Sequence, residues 1–328
     1  MMKKLCFVLS LLSLVLTQAQ NSNSYESTQI SILTIGPGTA LNDAFGHNGI
    51  RVTTAYNDVV YDYGRFPFND PNFYLNFARG KLLYSQGFSE YSQVINFYKS
   101  QNRTIKEQVL NLSVTEKQDM HNYLVNNALP ENRDYLYDFF FDNCATKIRD
   151  VAEEITANDI VFHTPDNLGS HSFRDLIQQN LNWNSWGSLG IDVALGSIID
   201  RAATPYEYMF LPEYIHLFFE SATIEPTNEK LVNQSLLINT VSKEEINHSF
   251  VGSPIFMLGI ISILILWITY KNFKNGERSK WLDFSIFLIT GATGVFILLL
   301  WFATDHTATA HNYNVLWASA LNALLLPQ

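Results

Sequence analysis

The chain has 328 residues, with 21 Lys and Arg against 31 Asp and Glu, for a formal net charge of −10. That acidity, with no basic tract outside one short loop near the C-terminus, argues against a nucleic-acid partner. Hydrophobic residues make up 47% and aromatics 14%, enough for one good-sized core, and there are only two cysteines, Cys6 and Cys144, which excludes a disulfide framework.

Residues 1–19 read as a signal peptide: Met-Met-Lys-Lys, an apolar run from Leu5 to Leu16, then Thr17-Gln18-Ala19 with a small residue at the cut. Cys6 falls inside it, so Cys144 is expected to be the only cysteine of the exported chain. A thiol without a partner in an oxidising compartment is either a buried accident or a nucleophile.

Residues 20–220 are expected to form the outer domain. Residues 28–35 read as a strand closed by Gly36-Pro37-Gly38. Residues 44–65 read as a hairpin around a turn at Asn57-Asp58. A strand over 80–88, a short helix over 89–100 and a strand over 104–112 follow. Ser113 and Glu116 match a capping box, with a helix to Leu129. Residues 134–141 read as a buried strand. At Asp142-Asn143 the pattern turns helical, with Ile148, Val151, Ala152 and Ile155 at helix spacing and either Asp142 or Asn143 as N-cap. The fold class is α+β, an antiparallel sheet with helices, and the thiol stands at a strand-to-helix junction. The first turn of a helix stabilises a thiolate, and its N–H groups can face an oxyanion. The many aromatics fit either a packed core or a surface that meets lipid.

The C-terminal third reads as membrane-associated. Residues 221–252 are polar and suggest a tether. Residues 253–270 and 284–304 are uncharged and long enough to cross a bilayer. The loop 271–283 carries Lys271, Lys274, Arg278 and Lys280, which puts it in the cytoplasm and residues 20–252 outside. In the outer-side segment 305–328, which includes His306 and Asn312, the stretch Val315–Leu326 is short for a span and suits either an interfacial helix or a truncated third span.

A thiol nucleophile needs a base in reach, and the base needs a partner to orient it. His47 lies on the first hairpin strand between Gly46 and Gly49, which let another element approach. With Tyr56 paired to Val59, Thr53 faces Asp62, which puts Asp62 on the face of His47. The candidate site is therefore Cys144, His47 and Asp62. Other chemistries have less support: there is no Gly-x-Ser-x-Gly elbow and no His-Glu-x-x-His helix. His163 and His171 with Asp166 and Asp175 have little metal-site specificity. No metal and no cofactor are expected.

The motifs Phe45-Gly-His47, Ile50-Arg-Val52, Tyr61-Asp-Tyr-Gly64 and Phe139-Phe-Phe-Asp-Asn-Cys-Ala-Thr-Lys-Ile-Arg149 resemble the Lnb-type bacterial lipoprotein N-acyltransferases. The resemblance extends to Asp192-Val-Ala-Leu-Gly196, Met209-Phe-Leu-Pro-Glu213 and Asn312-Tyr-Asn-Val-Leu-Trp317. The order of His before Cys is also similar to circularly permuted papain-like enzymes such as lecithin–retinol acyltransferase. The resemblance implies a permuted papain-like periplasmic thiol domain followed by inner-membrane helices, with Cys144 as nucleophile, His47 as base and Asp62 as third residue. It further implies a phospholipid acyl donor and a diacylated lipoprotein acceptor. Family members continue past the Asn-Tyr-Asn-Val-Leu-Trp region, whereas this chain ends at Gln328. Two other readings fit the same residues: a membrane-tethered thiol peptidase or amidase acting on cell-envelope peptides, and a non-catalytic envelope scaffold.

Overall fold

The computed structural model describes residues 25–66, 71–81, 83–157, 159–241 and 250–325. The expected signal peptide, and residues 242–249 of the expected tether, lie outside the described residues. The chain divides into two compact units, one of residues 1–67, 83–168 and 205–242, the other of residues 68–82, 169–204 and 243–328.

Among the described residues the first unit holds ten strands in chain order: β1 (Gln29–Ile35), β2 (His47–Thr53), β3 (Asp58–Arg65), β4 (Leu83–Glu90), β5 (Ile105–Leu110), β6 (Asp134–Leu136), β7 (Ile160–Val161), β8 (Thr223–Ile224), β9 (Glu229–Lys230) and β10 (Val232–Asn239). Seven form one antiparallel sheet in the order β10-β5-β1-β2-β3-β4-β6, and β7, β8 and β9 form a small second sheet. Its main helices are α1 (Tyr91–Ser100), α2 (Val114–Asn127), α3 (Cys144–Ile155) and α4 (Pro212–Ser221). The α+β reading holds.

Strand alternation sorts the core into two layers. On one face Leu33, Ile35, Val60 and Ile105 pack with Ile95, Tyr91, Val94 and Tyr98 of α1. On the other, Ile30, Ile32, Ile50 and Val52 are fully or almost fully buried, and α3 packs on β2 while α4 packs on β1. Each of those aliphatic side chains contributes roughly 1.5–3 kcal/mol by leaving water. The helices are fastened by their caps. Ser113 Oγ accepts the Glu116 N–H while Glu116 Oε2 accepts the Ser113 N–H at 2.7 Å, which is the expected capping box.

Three expectations need correction. The run 134–141 is not one buried strand, because only Asp134–Leu136 pairs, and the chain then turns. Asp138 Oδ1 accepts the N–H groups of Phe140 and Phe141, and Asp138 bridges to Asp142, so a local side-chain acceptor wins over extended pairing. Residues 221–252 are not a plain tether, since Val232–Asn239 adds β10 to the sheet edge beside β5. The hairpin register is also shifted: Thr53 pairs with Asp58, not Asp62. Thr54 Oγ1 closes the turn on Asn57, and Asp58 is drawn into the strand by Arg51, whose Nε and Nη2 donate to its carboxylate at 2.8 and 2.7 Å.

The second unit contains the two long apolar helices Pro254–Asn275 and Lys280–Phe302. At 1.5 Å per residue each is about 33–35 Å long, enough to cross a bilayer. Only 6% of the apolar window of the first is covered by protein, unlike a core helix of a soluble domain. Both helices outrun the expected spans, so the loop placed at 271–283 shortens to Gly276–Ser279. The stretch from Val315 is not a third spanning helix. It forms two 3₁₀ turns, Tyr313–Leu316 and Ala320–Leu325, that lie on the helix Lys280–Phe302 where glycines permit close approach. A Cβ on Gly294 would sit 2.1 Å from the Ala318 carbonyl oxygen, and one on Gly291 would sit 2.6 Å from the Ala323 nitrogen. Asn312 is buried and donates to the Val193 and Ala194 carbonyls at the end of the helix Trp186–Ala194. His306 Nε2 is 3.0 Å from the Phe77 carbonyl.

Candidate active site

β2 and β3 bring two of the expected residues together. Gly49 pairs with Asp62, and His47 is two residues from Gly49, so His47 and Asp62 project from one face as diagonal neighbours. The shift from the expected register is four residues, an even number, which leaves every side chain on its expected face. His47 Nε2 lies 3.4 Å from Asp62 Oδ2. The two side chains are 22% and 18% exposed, open enough for a small reagent to reach them.

The third residue arrives on α3. Of the two N-cap candidates it is Asn143 that caps: its Oδ1 accepts from the N–H groups of Ala145 at 2.8 Å and Thr146 at 3.0 Å, and Thr146 Oγ1 accepts the Asn143 N–H at 2.8 Å. Asn143 Nδ2 also donates to the Phe139 carbonyl at 2.6 Å and the Phe210 carbonyl at 2.8 Å, which fixes the helix start to the preceding turn and to the segment before α4. The cap consumes two of the first-turn N–H groups, leaving that of Cys144 as the helix-terminal donor beside the thiol. The Cys144 thiol lies beside His47 and the backbone N–H of Asn48, near enough for both to act on its charge. With Nε2 turned to Asp62, Nδ1 is the imidazole nitrogen left for the thiol.

The electrostatics follow from this geometry. Burial pushes the Cys144 thiol up, but the charge and hydrogen bond of His47 and the Asn48 N–H outweigh it and hold the thiol below its ordinary value of 9.0, with Asp62 opposing. Burial pulls His47 down, yet Tyr98, Cys144 and Asp62 together hold it well above 6.5. Burial pushes Asp62 up, and His47 and Arg65 hold it below 3.8. The directions agree: the arrangement favours the charged forms of all three, a thiolate beside an imidazolium and a carboxylate, over the neutral ones.

Sequence reasoning missed several neighbours. Gly64 has φ of +92°, and a Cβ there would stand 3.9 Å from that of Cys144. Tyr137 stacks on Tyr84 at 4.3 Å between ring centroids, and the buried Tyr135 hydroxyl has no hydrogen-bond partner among the described residues. Burial and the nearby Cys144 raise the pKa of both Tyr135 and Tyr137. Tyr98 places its ring 6.4 Å from that of His47. Arg65 donates from Nε to Asp62 Oδ1 at 2.5 Å. Tyr137, Tyr135 and Arg65 sit in motifs the sequence made conspicuous, but only the turn after β6 and the bend in β3 aim them here.

Of the weak metal candidates, His163 Nε2 lies 3.0 Å from Thr223 Oγ1, and Asp175 caps its own helix through Ser172. Among the described residues no group of three or more His, Cys, Asp or Glu gathers as a metal site.

Two models of known families match the chain. Residues 16–180 match the model described as the Lnb N-terminal periplasmic domain, and residues 245–328 match the one described as the Lnb transmembrane domain. Neither the curated proteins nor the solved structures gave a match. The chain is an inner-membrane protein with its main domain in the periplasm. With His47, Asp62 and Cys144 all inside the first match, and both long apolar helices inside the second, the chain belongs to the Lnb family.

Proposed function

We propose that this protein is a lipoprotein N-acyltransferase that carries an acyl chain on Cys144. His47, as imidazolium, holds the thiolate. The thiolate attacks an ester carbonyl of a membrane phospholipid, with the Cys144 N–H beside the developing oxyanion. The ester C–O bond breaks, the leaving lysophospholipid oxygen takes the proton from His47, and the acyl group remains as a thioester. The free α-amine of a diacylated lipoprotein then attacks the thioester, giving up a proton to the now neutral His47. The C–S bond breaks, and the products are an amide and the regenerated thiolate–imidazolium pair. Asp62 keeps the imidazole oriented through both halves. A thioester suits this route because amide formation from it runs downhill.

The observation that carries the reading is the contact of Cys144 with His47, itself bonded to Asp62, in a membrane-anchored chain of the Lnb family. Attachment to the bilayer raises the effective concentration of two substrates that both reside there. The test is complementation of a strain lacking lipoprotein N-acylation, with mass spectrometry of a lipoprotein N-terminus. A triacyl product that Cys144→Ala abolishes is the expected result. An unchanged diacyl product from well-expressed protein sinks the proposal, and cleavage of cell-wall peptides instead would favour a thiol amidase.

A further inference from the structure

We infer that Arg65 is a positioning residue that locks the Asp62 carboxylate onto His47, and that Gly87 is the seat which makes this lock fit. The inference rests on the catalytic reading of Cys144 and His47.

Along a regular strand, residues three apart point to opposite faces. Asp62 and Arg65 escape that rule because β3 carries one extra residue between them: Asp62 pairs with Gly87 but Arg65 pairs with Ser85. Gly64, at φ of +92°, supplies the bend. The bulge brings the guanidinium back to the face of Asp62, where Nε donates to Oδ1 at 2.5 Å while Oδ2 faces His47. Each oxygen of the carboxylate thus has its own partner, so the group cannot rotate without losing both.

The rest of the guanidinium is tied down as well. Nη1 donates to the Phe88 carbonyl at 3.2 Å and Nη2 to Ser89 Oγ at 3.0 Å. With every nitrogen bonded to protein, bracing explains Arg65 better than capture of a substrate phosphate. The side chain lies flat against Gly87: a Cβ there would stand 2.4 Å from both Cδ and Nε and 2.6 Å from Cζ. No side chain at position 87 is compatible with this pose. Gly87 has no positive φ, so its lack of a Cβ serves the arginine and not the backbone.

The groups that titrate or carry charge around this lock are few. His47 and Arg65 face Asp62, and Tyr98, Cys144 and Asp62 face His47. Tyr135 and Tyr137 lie within electrostatic range of Cys144. When Asp62 is released, the imidazole is no longer held against the thiol; losing that partner outweighs losing Asp62's own opposing charge, so the thiol titrates at higher pH.

The experiment is the pH dependence of Cys144 alkylation by iodoacetamide in the full-length protein, with Cys144→Ala as the blank for Cys6. Arg65→Gln and Gly87→Ala are both expected to move the acid limb upward in pH and to slow alkylation about tenfold below the thiol pKa, where the rate follows the thiolate fraction. Arg65→Lys keeps the charge without the fork and is expected to fall between them and wild type. Gly87→Ala dislodges the guanidinium without removing it, so it separates positioning from charge even if Arg65→Gln unfolds. Variants that stay folded with the wild-type profile overturn the inference while leaving the catalytic pair intact. A wild-type thiol no faster than free cysteine overturns the catalytic reading and this inference with it.

Discussion

Gly64 and Cys144 face each other closely enough that a Cβ on the glycine would stand 3.9 Å from that of the cysteine, an ordinary van der Waals contact. The constraint at Gly64 is therefore its φ of +92° and not space. Gly46, one residue before His47, differs: at φ of +83° a Cβ would also fall 2.6 Å from the Ile35 carbonyl oxygen. Gly64→Ala is expected to cost roughly 1–3 kcal/mol through backbone strain. Gly46→Ala should cost more, since strain and overlap add. Thermal melts of the two variants check the ranking, and equal losses would count against it.

His47→Ala removes the cation that depresses the thiol. Cys144 should then titrate higher, above wild type by enough to slow alkylation at neutral pH at least tenfold. Asp62→Asn should act in the same direction but less, because it loses only a 3.4 Å bond that orients the base and also removes a carboxylate charge that opposes the thiolate. In wild type, reactivity should rise as pH climbs through the lowered thiol value and stay high above it, since the thiolate remains when the imidazolium loses its proton. Alkylation rates across pH decide this, and identical profiles for His47→Ala and wild type would refute it.

Asp62 is held below its ordinary 3.8 in the folded protein. A depressed carboxylate stabilises the fold above its unfolded pKa, and that stabilisation is lost as pH falls through the lower folded value. Below about pH 4, wild type should therefore lose stability faster than Asp62→Asn. Urea midpoints at acid and neutral pH measure it, and parallel curves would contradict the assignment.

Asn143 serves three elements at once through its cap and its two bonds to the Phe139 and Phe210 carbonyls. Asn143→Ala should cost about 2–4 kcal/mol, the loss of a cap together with two hydrogen bonds from Nδ2. Asn143→Asp keeps the cap but loses the Nδ2 donor and is expected to recover only part. Denaturation midpoints of the two variants test the split. Because the cap orients the first turn, both should also slow alkylation of Cys144.

Gly294→Leu should detach the 3₁₀ segments from the helix Lys280–Phe302, since even a Cβ there meets the Ala318 carbonyl at 2.1 Å. Chymotrypsin should then cleave near Tyr313, Leu316 or Trp317 faster than in wild type. An unchanged cleavage pattern would show that the segment does not depend on this contact.

Much of this protein was legible in its residues. Alternation of apolar side chains gave β1 and β5, the Ser113–Glu116 box gave the start of α2, and apolar periodicity after Asn143 gave α3, because each signal is local. The His47–Asp62 pair was foreseen from a register that was off by four, since faces depend only on whether the slip is even or odd. The aromatic run before Cys144 misled, as burial and β-propensity cannot reveal that Asp138 will cap its own turn.

The sequence by itself determined the thiol at a helix start, a candidate base on the first hairpin strand and the apolar helices that anchor the chain. Those features follow from composition and short-range periodicity. Only the tertiary structure decided that Thr53 meets Asp58, that residues 232–239 return to the sheet edge, and that Arg65 folds back over Gly87 onto Asp62. These depend on contacts between residues far apart or on a one-residue bulge, and no local pattern encodes the steric fit that selects them.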